Sequence, residues 1–120
     1  MITKNILFLC RQTPYGDYRA APAIESVLVM AAFDQRISVL FRDDGVWQLL
    51  KDQNRNHEKR KTISKMLGVF AEYEIQDVYA CRNSLSIRNV SEDQILDFAT
   101  IINSEEQKNL IKRQNIVLND

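Results

Sequence analysis

Residues 31–50 read AAFDQRISVLFRDDGVWQLL, and the reading of this stretch decides the fold. Ala31 closes a helical pattern, residues 37–41 form a mostly apolar run of strand length, and Asp43-Asp44-Gly45 follows directly at that strand's carboxyl end. An apolar strand fed by a helix is what a sheet covered on both faces requires. The carboxyl edge of such a sheet is where open α/β folds gather their functional loops.

Toward the amino terminus, residues 6–10 (ILFLC) make a second continuous apolar run, followed by Pro14 and Gly16. Between the two runs, Ala20, Ala23, Ile24, Val27, Leu28 and Ala31 recur at i, i+3, i+4, i+7, i+8 and i+11, with Pro22 in the first turn. This spacing predicts an amphipathic helix. Strand, helix and strand fit within about forty residues, the size of a right-handed parallel crossover.

Toward the carboxyl terminus, residues 51–65 are polar and heavily charged, and read as an exposed loop passing into a helix that reaches Met66 and Leu67 and ends at Gly68. The pattern then predicts a third strand over 77–81, a short helix over 84–88 and a fourth strand over 98–102. A helix over 104–113 and a last strand over 116–118 complete the chain, with Ser104 and Gln107 matching a capping box. The expectation is an α/β fold: one three-layer domain over residues 1–120, a mainly parallel five-stranded sheet, flavodoxin-like, in the order 2-1-3-4-5.

With 120 residues there is room for one core and not for two. Sixteen basic and sixteen acidic residues cancel, so the chain as a whole carries no electrostatic footprint for nucleic acid or an anionic membrane. The opening apolar run is too short for a signal segment or a membrane span, which sets the expectation of a cytoplasmic protein. Cys10 and Cys81 lie far apart without a CxxC pair, which predicts two reduced thiols and no zinc site. No cofactor-binding motif is expected, and a flavin phosphate loop is poorly matched because RQTPYGDY (residues 11–18) has too few small donors.

Three loops should meet at the carboxyl edge: residues 11–18, 42–45 and 81–84. Cys81 follows an apolar strand and precedes a short helix, where helix amides and Arg82 could favour the thiolate; the competing reading is a small buried hydrophobe. Asp43 and Asp44 could hold Mg²⁺ or accept a phosphoryl group. Arg11 and Gln12, however, stand where further acids would be needed, and a turn at Asp44-Gly45 with Asp43 capping the next helix is the better reading. His57, beside Asn56 and Glu58, reads as a solvated surface residue, and Tyr15 and Trp47 as core or interface aromatics.

Pro14-Tyr15-Gly16, Ala23-Ile24-Glu25, AAFDQ at 31–35 and VLFRDDGVWQLL at 39–50 together resemble the DsrE/DsrF-like family, in particular its C-subunit branch. LGVFAEYEIQDVYACRNSLSIRNV at 67–90 extends the resemblance, which covers essentially the whole chain. It implies a subunit of a cytoplasmic sulfur relay, assembled with TusB-like and TusD-like chains as a heterohexamer. Such an assembly takes persulfide sulfur from TusA and passes it toward TusE, ending in 2-thiouridine at the tRNA wobble position. It further implies an accessory chain with no enzyme activity of its own. Cys81 falls where the D-type chain carries its persulfide cysteine, although ACRNSL lacks the small-residue run that follows that cysteine. Three other readings stay open: a DsrF-type subunit of a DsrEFH sulfur-oxidation complex, a stand-alone sulfurtransferase acting through Cys81, and a flavodoxin-like module binding a small ligand above Asp43 and Gly16.

Overall fold

The computed structural model describes residues 4–12, 20–33, 35–51, 68–70, 73, 75 and 77–119. Strands β1 (Asn5–Cys10), β2 (Arg36–Phe41), β3 (Asp77–Cys81), β4 (Thr100–Ile102) and β5 (Ile116–Asn119) form one five-stranded sheet, parallel throughout. Helix α1 (Ala20–Ala31) joins β1 to β2 over the residues that the apolar spacing marks. A 3-10 helix (Asp43–Leu49) follows β2, α2 (Arg82–Ile87) follows β3, and α3 (Ser104–Lys112) joins β4 to β5. Gly68 is helical and is followed by a turn at 69–70, while the tract before it, with His57, lies outside the described residues.

Alternation along the strands sorts the core into two layers. On one face Ile6, Phe8, Cys10, Ile37, Val39, Phe41, Val78 and Ala80 pack with Val27 of α1, Val46 and Leu49 of the 3-10 helix, Phe70, and Leu85 of α2. On the other face Leu7, Leu9, Leu40 and Ile102 pack with Leu110 of α3. Sealing each of those leucines from water contributes roughly 1.5–3 kcal/mol, and among the described helices α3 is the one that covers this face.

The α/β class and the five parallel strands are as expected, but the sheet order is β4-β3-β2-β1-β5, not 2-1-3-4-5. The handedness of crossovers explains the difference. Right-handed connections that lie on one face step in one direction across a parallel sheet, and a connection on the opposite face steps the other way. The described apolar residues of the connections from β1 to β2, β2 to β3 and β3 to β4, among them Val27, Val46, Leu49, Phe70 and Leu85, pack on the α1 side, so these strands run outward in sequence. Among the described helices α3 alone packs on the other face, and it carries the chain back to place β5 beside β1.

The cap of α3 is also one residue from its expected place. Asn103 is the N-cap: its side chain accepts from the Glu106 N–H at 2.9 Å, and the Glu106 carboxylate accepts from the Asn103 N–H at 3.0 Å.

Candidate functional site

Connections leave β3 and β4 toward opposite faces of the sheet, α2 toward the α1 side and α3 toward the other. These strands are neighbours, so the crevice between their carboxyl ends is the topological switch point, where ligand and catalytic sites of open α/β sheets form. Cys81 is the last residue of β3 and sits there, paired in register with Ile102 of β4.

Cys81 is also the N-cap of α2, and its Sγ accepts from the Ser84 N–H at 3.4 Å. The Ser84 hydroxyl oxygen accepts from the Asp43 N–H at 2.9 Å. With that lone pair engaged, the one hydroxyl proton is available to the sulfur. Gln107, buried on α3, adds its side-chain amide from the far wall, where it also approaches the Ile102 carbonyl at 3.5 Å. Burial pushes the Cys81 thiol up, but the Ser84 hydroxyl and N–H, the Gln107 amide and the Asn83 N–H outweigh it and hold the thiol below its ordinary value. Arg82 takes no part in this, because its guanidinium faces Glu92 at 3.4 Å. The sulfur therefore ionises more readily than an ordinary thiol yet is enclosed, with Cys81 only 7% exposed.

Asp43 links this cluster to the loop after β1. Its backbone is left-handed, φ 51°, and its carboxylate accepts from Arg11 Nε at 2.9 Å. Asp43 thus begins the 3-10 helix without capping it; Arg42 is the N-cap and makes no side-chain cap bond. The expected turn at Asp44-Gly45 is present, with the Gly45 N–H donating to the Arg42 carbonyl at 2.9 Å. Gly45 is required by close approach, since a Cβ there would stand 1.8 Å from the Cys10 carbonyl oxygen. Asp44 points elsewhere, to Arg88 beyond the end of α2, at 3.0 Å. The two aspartates are thus each held by a different arginine, and among the described residues no group of three or more His, Cys, Asp or Glu is placed to hold a metal ion.

Of the other marked residues, Cys10 ends β1 on the α1 face while Cys81 ends β3 at the same carboxyl edge but on the other face, and neither forms a disulfide. Trp47 is half-buried against the α1-side core. Tyr15 and Gly16 lie outside the described residues. Ser84 carries no motif, and Gln107 is marked in the sequence only as half of a capping box that forms elsewhere; their roles toward Cys81 emerge only from the juxtaposition of α2 and α3.

A model of the DsrE/DsrF-like family matches residues 4–119. This chain belongs to the DsrE/DsrF-like family. It is 35% identical over 113 residues to the intracellular sulfur oxidation protein DsrF of Allochromatium vinosum, covering 92% of this chain and 83% of that one. It is 26% identical over 117 residues to a TusC homolog of Pseudomonas aeruginosa, covering 98% of each. Among solved structures, the YchN protein of E. coli superposes with a TM-score of 0.84 at 17% identity, covering 98% of this chain and all of that one, a likeness of fold. Among the described residues, no helix of this DsrE/DsrF-like chain is long and apolar enough to cross a membrane.

Proposed function

We propose that this chain is an accessory subunit of a cytoplasmic sulfur-relay complex of the TusBCD type. That complex passes persulfide sulfur from TusA toward TusE for 2-thiolation of the tRNA wobble uridine. The likeness to TusC homologs, 26–27% identity over 95–98% of this chain, supports the assignment to a relay. The observation that carries the accessory role is the enclosure of Cys81. A persulfide carrier must present its outer sulfur to an incoming and an outgoing thiol, and here Sγ is ringed by donors from its own chain. Co-expression with TusB-like and TusD-like chains tests the assignment. The expected result is a stable complex near two copies of each chain; a well-behaved monomer indifferent to both partners would count against it.

Two observations favour second readings. The 35% identity to DsrF favours a place in a DsrEFH-type sulfur-oxidation complex, in which case dissimilatory sulfite reductase genes should neighbour this one. The donors gathered on Cys81 favour a thiol that carries sulfur itself, which requires the crevice to open so that the thiolate can attack an incoming persulfide.

A further inference from the structure

A second polar cluster lies on the α3 side of the sheet, at its amino end and away from Cys81. Asn5 and Arg36 are register partners, as are Ser38 and Asp77, and Tyr79 follows two residues along β3. Neighbouring strands are about 4.8 Å apart and alternate residues about 7 Å apart along a strand, so these groups share one small area. The end of α3 walls it with Leu110, Arg113 and Gln114, leaving a half-open hollow of about 190 Å³. Cavities of about 150 Å³ already admit a benzene-sized molecule.

The lining groups are unusually free of partners. Ser38 is 5% exposed, and neither its hydroxyl, the Tyr79 hydroxyl nor the Arg113 guanidinium bonds to another described residue. Gln114 donates to the Leu110 carbonyl at 3.0 Å, while its Oε1 is buried with no partner among the described residues. Buried polar groups are ordinarily satisfied, yet here the buried Ser38 and Gln114 Oε1, with the half-buried Tyr79 and the exposed Arg113, open onto one space. Arg36 is engaged by Asp77 at 3.5 Å, which leaves Arg113 as the uncompensated charge.

We infer that this hollow binds a small molecule carrying a carboxylate beside a hydrogen-bond donor, an amino acid or a hydroxy acid. Arg113 and the hydroxyls of Ser38 and Tyr79 receive the carboxylate, a planar anion suited to a guanidinium. The adjacent ammonium or hydroxyl faces Gln114 Oε1 and the Asp77 carboxylate. This site is independent of the sulfur-relay reading.

Calorimetric titration of the full chain, together with the partner subunits that co-purify with it, tests the site. The probes are L-serine, L-lactate and, for charge alone, inorganic phosphate. The expected result is saturable binding of serine or lactate, tighter than that of phosphate. Serine alone would assign the donor as an ammonium, lactate alone as a hydroxyl. Arg113→Gln should weaken binding at least tenfold and Tyr79→Phe, which removes only the hydroxyl, several-fold, while Lys108→Gln, an exposed charge elsewhere on α3, leaves it unchanged. Absence of saturable binding by both carboxylates, phosphate binding as tightly as they do, or equal weakening by Lys108→Gln and Arg113→Gln would overturn the inference.

Discussion

The Asp43 N–H donates to Ser84 Oγ at 2.9 Å, tying the end of β2 to the first turn of the helix after β3. That bond orients the hydroxyl whose proton reaches Cys81, so the loop after β2 helps set the state of a sulfur on the neighbouring strand.

Ser84→Ala removes the hydroxyl donor to Cys81 and leaves the Asp43 N–H without its acceptor. An unsatisfied donor in a partly buried setting costs about 1–3 kcal/mol. The variant should unfold at lower denaturant, and the pH profile of Cys81 alkylation in the folded chain should move to higher pH. An unmoved profile would show that the hydroxyl does not stabilise the thiolate.

The same donors predict a pH dependence of stability. Burial raises the Cys81 pKa, the Ser84, Gln107 and Asn83 donors lower it more, and the net value lies below that of the unfolded chain. A group depressed in this way contributes stability that is fully present above its unfolded value, about 8.5, and is lost as the pH falls through the folded value. The unfolding free energy of the natural chain relative to Cys81→Ser should therefore grow as the pH rises toward about 9. Denaturant titrations at several pH values measure it, and a flat difference would contradict the assignment.

Gly45→Ala places a Cβ 1.8 Å from the Cys10 carbonyl oxygen and 2.6 Å from its carbon, contacts to backbone that cannot swing aside. Forcing the two loops apart should cost about 3 kcal/mol, at the upper end of overpacking effects. Thermal unfolding measures it, and a change smaller than about 1 kcal/mol would mean that the loops separate freely.

Asp43 offers a comparison of backbone with side chain. Its left-handed φ of 51° costs an ordinary L-residue about 1–2 kcal/mol and glycine little, whereas its ion pair with Arg11 is exposed and contributes at most about 1 kcal/mol. Asp43→Gly should thus be more stable than Asp43→Ala by about 1 kcal/mol. Equal stabilities would show that the backbone relaxes.

How far the sequence discloses this molecule depends on the range of the signal. Helix α1 is legible to the residue because Ala20 to Ala31 repeat an apolar spacing that a helix alone satisfies. Strands β1 and β2 are legible because nearly every position is buried. The cap of α3 is misplaced by one residue because Ser104-x-x-Gln107 and Asn103-x-x-Glu106 both fit the pattern, and only the latter has extended backbone at the cap. The sheet order depends on which face each crossover covers, and the polar tract after Leu50 carries no periodicity that reveals it. Cys81 is visible as a thiol before a short helix, but Gln107 is not. It lies on the buried stripe with Leu110, where an amide counts against an apolar pattern and gains its purpose only beside Cys81.

The most direct test of the accessory role is intact mass measurement of every chain in the co-expressed complex after incubation with a cysteine desulfurase, cysteine and TusA. Added mass of one sulfur atom on the TusD-like chain, with none on this chain, is the predicted result. A stable sulfur adduct on this chain that disappears in Cys81→Ser would contradict it and make Cys81 a carrier.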